Sequence, residues 1–217
     1  MSGWYRFCRA LFRIYFRLYH RGRILHAERV PPEGPCLLAA NHVSFLDPPF
    51  VGLCCDREGF YLARDTLFQN PLTGWLLRSW NCVPVKREGG DLGGLRMILR
   101  LLREGKAVLM FPEGTRSPDG QLQPARAGIG MIVARTRSPI VPVRVFGTDN
   151  AMPRGVSLPR PAQVTIVFGE PFVYPMPADF EELPAERQKA LYQAIGDEVM
   201  RRIAALQREV RILTPPP

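Results

Sequence analysis

The sequence is organised around the stretch Cys36-Leu37-Leu38-Ala39-Ala40-Asn41-His42-Val43-Ser44-Phe45-Leu46-Asp47-Pro48-Pro49. Its first five residues are apolar and have the length of a buried strand. Asp47, followed by two prolines, predicts a helix start, with the carboxylate as the cap and proline in the first turn. His42 is therefore expected where a strand ends, and Asp47 where a helix begins.

The spacing of His42 and Asp47 is compatible with two interpretations. Within one continuous helix a five-residue step would separate the two side chains by roughly 140°, because each residue turns about 100°. A strand-loop-helix corner can instead return the carboxylate to the imidazole, and the pair could then act as a general base held in one tautomer. Taken alone, the spacing favours the plainer interpretation of a capping aspartate and a structural histidine.

The charge of the chain points to an anionic partner. Its 217 residues suit one domain, and they carry a formal charge of +9 with a pI near 9.8. Nucleic acid, a phospholipid surface or a phosphorylated substrate would each account for that excess. Nearly all the cations are arginines, which bind phosphate through a planar fork. Phosphate binding is therefore favoured over general solubility.

The five cysteines form no CxxC pair. They lie mostly in apolar runs, which predicts free buried thiols in a reducing compartment and no metal site. We identify no signal peptide and no membrane-spanning segment, because arginines interrupt the N-terminus and Asp47 interrupts the longest weakly charged run.

Residues 3–21 carry the clearest helical pattern. Arginines and one histidine share a stripe of roughly 80°, and the opposite side is aromatic and apolar: Arg6, Arg9, Arg13, Arg17 and His20 against Trp4, Cys8, Leu11, Tyr15 and Leu18. This composition is typical of a helix lying in a bilayer interface. A surface helix packed on the domain through its apolar side is the alternative. We divide the chain into this N-terminal membrane-interface unit, 1–30, and an α/β domain, 31–217.

Strands and helices alternate along the rest of the chain. We expect strands at 36–40, 59–63, 81–85, 107–111, 140–146 and 164–168, and helices at 48–55, 65–80, 91–103, 128–137 and 184–210. This order predicts an α/β fold, with a mainly parallel or mixed sheet flanked by helices and a long C-terminal helix. Pro142 suggests that its strand is an edge strand or contains a bulge.

Three candidate sites follow the ends of predicted strands. They are His42, Arg87 and the segment Phe111-Pro112-Glu113-Gly114-Thr115-Arg116-Ser117. Functional loops of parallel α/β sheets gather at the carboxyl ends of the strands. Glycine, threonine and arginine after a strand can present backbone N–H groups, a hydroxyl and a guanidinium to a phosphate. Each site alone could be an ordinary turn or a solvated charge, but together they predict one composite site.

The two motifs in this order, Asn41–Asp47 and Phe111–Ser117, closely resemble those of the glycerolipid acyltransferase family that includes 1-acylglycerol-3-phosphate acyltransferases. Val83-Pro84-Val85-Lys86-Arg87 and Ile140-Val141-Pro142-Val143 resemble that family's second and fourth blocks. The resemblance covers roughly residues 30–150. In the second block this chain has Asn81 and Lys86 where the family commonly has a glycine and an acidic residue, which leaves the acceptor head group open.

The resemblance implies an enzyme without cofactor or metal that moves a fatty acyl group from acyl-CoA or acyl carrier protein to 1-acylglycerol-3-phosphate. His42 would be the general base and Asp47 its orienting partner. Glu113, Gly114, Thr115 and Arg116 would bind the acceptor and its phosphate, assisted by Arg87. The protein would act at the cytoplasmic face of a membrane, as a peripheral or monotopic protein.

Two alternatives remain open at the level of sequence. One is the same chemistry on another lysolipid, such as one with a larger head group or a lyso-ornithine lipid. The other is a non-catalytic module that binds anionic membranes or nucleic acid. No nucleic-acid recognition motif is present, and the basic stripe has an aromatic back, so nucleic acid is not expected as a partner.

Overall fold

The structure is a computed structural model that describes residues 3–85 and 92–208. The helices are α1 (Gly3–Tyr19), α2 (Asp47–Cys54), α3 (Pro71–Ser79), α4 (Leu92–Arg103), α5 (Ala127–Thr136), α6 (Thr148–Ala151) and α7 (Ala185–Ala205). The strands are β1 (Arg23–Leu25), β2 (Cys36–Ala40), β3 (Gly59–Arg64), β4 (Cys82–Val85), β5 (Ala107–Met110), β6 (Ile140–Phe146) and β7 (Thr165–Phe168). The predicted α/β class is confirmed.

The seven strands form one sheet in the order β1-β7-β6-β2-β5-β3-β4. Every pairing is parallel except that of β6 with β7, so the sheet is mixed but mainly parallel. The fully buried strand β2 lies between β6 and β5. The loop after β2 therefore emerges near the centre of the sheet, at the carboxyl ends of the strands, where open α/β sheets bind their ligands.

Strand β1 was not expected. It lies inside the range 1–30 assigned to the N-terminal unit, yet it pairs in parallel with β7. Three residues with one leucine and one isoleucine are too short to show a strand period. The chain after α1 is thus tied to the sheet.

The edge-strand prediction for Pro142 is wrong. Strand β6 is interior, between β7 and β2. Val143 pairs with Phe168 and Ile140 bridges to Phe172, so the partner segment has one more residue than β6 over this interval. The Pro142 carbonyl accepts a 2.7 Å bond from Gly169 N. This irregularity next to Pro142 is where a residue without an N–H can be accommodated in an interior strand.

Helices cover both faces of the sheet. On one face α1 and α2 enclose a core that includes Phe16, Phe50 and Leu38. On the other face α4, α5 and α7 enclose a second core that includes Leu37. Helices α5 and α7 approach so closely that a Cβ on Gly130 would lie 1.9 Å from the Tyr192 carbonyl oxygen. The long C-terminal helix is confirmed, but it ends at Ala205 rather than at 210, and residues 209–217 lie outside the described part of the chain.

Helix α1 confirms the predicted amphipathic helix, and its orientation is unexpected. Arg9 donates to the Cys55 carbonyl and Arg13 to that of Cys54, at the C-terminus of α2. Guanidinium groups are favourable at that negative end of a helix. His20 is not part of an exposed basic stripe, since it is fully buried and burial lowers the pKa of its ring.

Most of the apolar side of α1 faces outward, although Cys8, which belongs to it, is buried. Five large side chains on it are exposed and follow one helical stripe: Trp4, Phe7, Leu11, Ile14 and Leu18. The alternative in which this side packs on the domain therefore holds for Cys8 and is wrong for these five residues. Within residues 3–85 and 92–208, no helix is long and apolar enough to cross a bilayer.

The prediction of free thiols is confirmed. All five thiols are free, and four of them are buried, while Cys82 is partly exposed.

Candidate active site

His42 and Asp47 meet at the corner between β2 and α2. The His42 Nδ1 atom lies 2.9 Å from Asp47 Oδ2. The carboxylate is fully buried and 16% of the imidazole is exposed. Because Nδ1 faces the carboxylate, Nε2 is the ring nitrogen that remains for a substrate proton.

Asp47 does not cap α2 as predicted. It is the first residue of the helix, and no side chain caps the N-terminus. Its Oδ2 instead accepts bonds from the backbone N–H groups of Val43 and Ser44, both at 2.7 Å. The carboxylate thus turns back into the loop that precedes the helix, and holds that loop around the histidine.

A residue that the sequence analysis missed completes the shell of Asp47. The hydroxyl of Thr148, at the start of α6, donates to Asp47 Oδ1 at 2.6 Å, and both side chains are buried. Strand β6 runs parallel to β2, so the residues just after it reach the same sheet edge. Applying the strand-end rule to Phe146-Gly147-Thr148 would have identified it.

Two further contacts fasten the histidine loop to the same segment. Asn41 extends β2 with its side chain: its amide donates to the Val145 carbonyl at 3.1 Å and accepts from Val145 N at 2.7 Å. The Ser44 hydroxyl donates to the Met152 carbonyl at 2.9 Å. The end of β6 and α6 therefore form the wall on which the loop is mounted.

The second predicted motif lies beside the first. The Phe111 ring stacks on the His42 imidazole, with ring centroids 4.0 Å apart, and Ser117 N donates to the His42 carbonyl at 2.7 Å. Strand β5, which leads into this motif, is the direct neighbour of β2. The expectation that His42 and Glu113–Arg116 share one sheet edge is confirmed.

Glu113 is a buried carboxyl without a well-formed partner. Neither of its oxygens has a hydrogen-bond partner among the described residues. Burial raises its pKa to about 7, an effect opposed by the nearby backbone amides of His42 and Gln123 and reinforced by the charge of Asp47. Buried polar groups are normally paired, so this one marks a place where a ligand can complete the structure.

Arg116 has a similar deficit of partners. Its guanidinium lies over the Phe45 ring at 3.6 Å, and within the described chain its buried Nη1 atom has no hydrogen-bond partner. Burial lowers its pKa, and the charges of Arg154 and Arg64 lower it further. Three arginines that repel one another form a strongly positive region suited to a phosphate.

The remaining predicted binding residues are placed as follows. Gly114 adopts a φ of +72°, and a Cβ there would lie 2.7 Å from Arg126 Cδ, so the turn requires glycine. Thr115 is exposed beside it. Arg87 lies outside the described residues. In the described ranges, no group of three or more histidine, cysteine, aspartate or glutamate side chains could hold a metal ion.

This geometry can remove a proton from a bound hydroxyl. An imidazole held by a buried carboxylate through Nδ1 presents Nε2 as a base, and the carboxylate stabilises the imidazolium that forms. The positive region around Arg116 adjoins this base through Phe45, which lies in the loop between His42 and α2, two residues before that helix begins. A phosphorylated alcohol could therefore be held and activated in one place.

Comparison with known proteins agrees with this chemistry. The model of a family described as Acyltransferase matches residues 23–146. A chloroplast 1-acyl-sn-glycerol-3-phosphate acyltransferase of Brassica napus is 34% identical over 140 residues, which are 63% of this chain and 40% of that protein. A 1-acyl-sn-glycerol-3-phosphate acyltransferase of Bacillus subtilis is 27% identical over 197 residues, 90% of this chain and 94% of that protein.

The fold has a solved counterpart. The crystal structure of the 1-acyl-sn-glycerophosphate acyltransferase PlsC from Thermotoga maritima superposes with a TM-score of 0.72 at 24% identity, over 94% of this chain and 81% of that one. The likeness establishes the fold. The present chain spans only about 40% of the length of the chloroplast relative.

The pKa of Glu113 predicts a pH-dependent stability. A carboxyl with a folded pKa near 7, against an ordinary value of 4.5, keeps a proton that the unfolded chain releases between those values. The free energy of unfolding should therefore fall as pH rises through this window. Glu113→Gln should lose that slope. Its free energy of unfolding should therefore rise relative to that of wild type as pH goes from about 5 to about 8.

Urea unfolding at about pH 5 and at about pH 8 measures this effect. The control is Glu33→Gln, a change at an exposed carboxylate. A Glu113→Gln protein with the same pH slope as wild type would contradict the assignment.

Proposed function

We propose, since this chain belongs to the acyltransferase family, that it transfers a fatty acyl group from an acyl thioester to the free hydroxyl of 1-acylglycerol-3-phosphate, which gives phosphatidic acid. The observation that carries the proposal is the 2.9 Å contact of His42 with the buried Asp47, beside Arg116, whose buried Nη1 atom has no hydrogen-bond partner within the described chain. The activity of the relatives from Brassica napus and Bacillus subtilis supports the choice of acceptor.

In the proposed reaction His42 Nε2 takes the proton of the acceptor hydroxyl while the hydroxyl oxygen attacks the thioester carbonyl. The resulting tetrahedral intermediate expels the thiolate, which recovers the proton from the imidazolium. Asp47 holds the ring and stabilises its charge, and no enzyme-bound acyl group, metal or cofactor takes part. Base catalysis of this kind contributes about 10²–10⁴-fold, and correct positioning contributes much of the rest.

The acceptor phosphate is proposed to bind at Arg116, assisted by Arg87. The unpaired Nη1 and the added field of Arg64 and Arg154 support this placement. Glu113, Gly114 and Thr115 would line the acceptor beside the phosphate.

The acceptor is a lipid, and the exposed stripe of α1 is proposed to bring the enzyme to its bilayer. Five large apolar residues face outward there, flanked by the exposed Arg6 and Arg17. Aromatic and arginine side chains both favour the headgroup region. We place the protein at the cytoplasmic face of a membrane, as a peripheral or monotopic enzyme with acyl-CoA or acyl carrier protein as its donor.

His42→Ala should abolish acyl transfer, with a loss of at least about 10²-fold in kcat, because no other group can take the hydroxyl proton. Release of free thiol from acyl-CoA, with and without 1-acylglycerol-3-phosphate, measures the reaction. His26→Ala, a change at a histidine that pairs with Glu28 just after the edge strand β1, should keep wild-type turnover. Wild-type turnover by a folded His42→Ala protein would overturn the base assignment.

Thr148 should act as a positioning residue. Thr148→Val removes the donor to Asp47 Oδ1 and leaves a buried carboxylate oxygen unpaired, so we expect kcat to fall about tenfold with little change in the acceptor KM. Thr148→Ser keeps the hydroxyl and should retain most of kcat. Equal losses in the valine and serine variants, or a change confined to KM, would assign Thr148 to packing alone.

Arg116→Ala should raise the KM for the phosphorylated acceptor by about 10–100-fold more than the KM for the acyl donor, because a charge-assisted bond to phosphate is lost. The matched control is Arg100→Ala, which should change neither KM. Arg100 is an exposed arginine of α4 that pairs with Glu104, just after that helix. Equal effects of Arg116→Ala on both substrates would argue against a phosphate role.

A further inference from the structure

One exposed loop combines apolar and basic side chains without an acidic residue. It reads Pro153-Arg154-Gly155-Val156-Ser157-Leu158-Pro159-Arg160. Val156 is 44% exposed and Leu158 is 79% exposed, which makes Leu158 as accessible as any large apolar residue of the described chain. Single exposed leucines are common, but an apolar pair between two arginines suits the boundary between acyl chains and phosphate groups.

The loop is fastened at both ends to elements that matter for the site. At its start, the Met152 carbonyl accepts the hydroxyl of Ser44, from the histidine loop. At its end, the Pro159 carbonyl accepts the Tyr19 hydroxyl at 3.0 Å. The two ends also meet, because Arg160 donates from its backbone N to the Ala151 carbonyl and from Nε to the Asn150 carbonyl, both at 2.8 Å. The loop therefore projects from a closed base between the catalytic corner and the C-terminus of α1.

The direction of α1 brings its outward stripe to the same end of the molecule. Arg13 bonds the C-terminus of α2, whereas Phe16, further along α1, packs on Phe50 at 4.9 Å. The two helices thus run antiparallel, and the C-terminus of α1 lies toward the N-terminus of α2, where Asp47 stands. Leu18, which is 78% exposed, precedes Tyr19, whose hydroxyl bonds the residue after Leu158, so this end of the stripe meets the loop on the active-site side.

We propose that residues 153–160 form a second bilayer contact, which binds anionic phospholipid next to the catalytic corner. Val156 and Leu158 enter the acyl-chain boundary, and Arg154 and Arg160 lie at the level of the phosphates. Charge decides the occupant: a segment with two cations and no anion complements an anionic lipid surface. The loop and the stripe of α1 then contact one bilayer and bracket the entrance to His42.

The consequence for catalysis rests on the proposed function. A lysolipid held in the bilayer could move from the membrane to His42 without passing through water. Arg154 is near enough to Arg116 to lower the pKa of its guanidinium. It would therefore link the headgroup layer to the positive region where the acceptor phosphate is proposed to bind.

Vesicle binding tests the contact independently of any enzymatic activity. The double variant Val156→Ser/Leu158→Ser should partition about tenfold more weakly than wild type into vesicles of phosphatidylglycerol and phosphatidylcholine, because apolar surface no longer enters the boundary. The matched control is Val173→Ser. Val173 is 59% exposed, and it lines a shallow cavity with Asp197 and Arg201 of α7, on the other face of the sheet.

Co-sedimentation with the vesicles, by the full-length chain, measures the partition. Wild-type binding by the double variant, or an equal loss in Val173→Ser, would overturn the proposal. So would a double variant that changes self-association in the absence of vesicles and leaves vesicle binding intact, because the loop would then contact a second copy of the chain.

A kinetic arm separates this inference from the proposed function. With 1-acylglycerol-3-phosphate in vesicles, the double variant should show a several-fold lower rate than wild type. With a short-chain, monomeric acceptor both proteins should be equally active. If neither protein turns over any acyl thioester, the proposed function fails while vesicle binding still decides the membrane contact. Equal losses on both acceptors would contradict a membrane role.

Discussion

The structure of the site depends on one buried carboxylate. Asp47 has no exposed surface, and it is surrounded by four donors: the His42 ring, two backbone amides and the Thr148 hydroxyl. Burying a charge is costly unless it is hydrogen-bonded, so these donors must stay in place for the chain to fold there. The same requirement that satisfies Asp47 therefore orients His42, joins β2 to α2, and secures both to the segment after β6.

The N-terminal helix shows how polar contacts can decide which side of a helix is left outside. Arg9 and Arg13 reach the carbonyl groups at the end of α2, where no other helix residue can satisfy them. Tyr5, Cys8 and Phe16 pack beneath. Because these arginines and these buried side chains fix the rotation of α1 about its axis, the stripe from Trp4 to Leu18 faces away from the domain. Its exposure is a consequence of the packing of α1.

Sequence periodicity and the ends of predicted strands were enough to predict most of the fold and of the site. The predictions failed at residues whose positions are set by tertiary contacts. The alternation of apolar strands and amphipathic helices predicted the sheet, and the strand-end rule placed His42 beside Glu113. The prediction that Asp47 caps α2 was wrong because its amide partners, Val43 and Ser44, come before it in the chain and not in the first turn of the helix. Thr148 and β1 escaped because a single hydroxyl and a three-residue strand carry no local pattern. For Pro142 the edge alternative failed and the bulge alternative was nearer, because the pairing beside it is irregular, with the extra residue in the partner segment.

The groups left unpaired near His42 are more informative than the paired ones. A folded chain normally satisfies its buried polar atoms, and it does so for Asp47 with four donors. In the segment that follows the neighbouring strand β5, both oxygens of Glu113 and the Nη1 of Arg116 lack a partner within the described chain. A carboxyl whose pKa is raised by burial and a guanidinium thus stand on either side of the turn at Gly114, and both await a polar ligand. Under the proposed function that ligand is the phosphate of 1-acylglycerol-3-phosphate, which lies next to the hydroxyl that His42 would deprotonate.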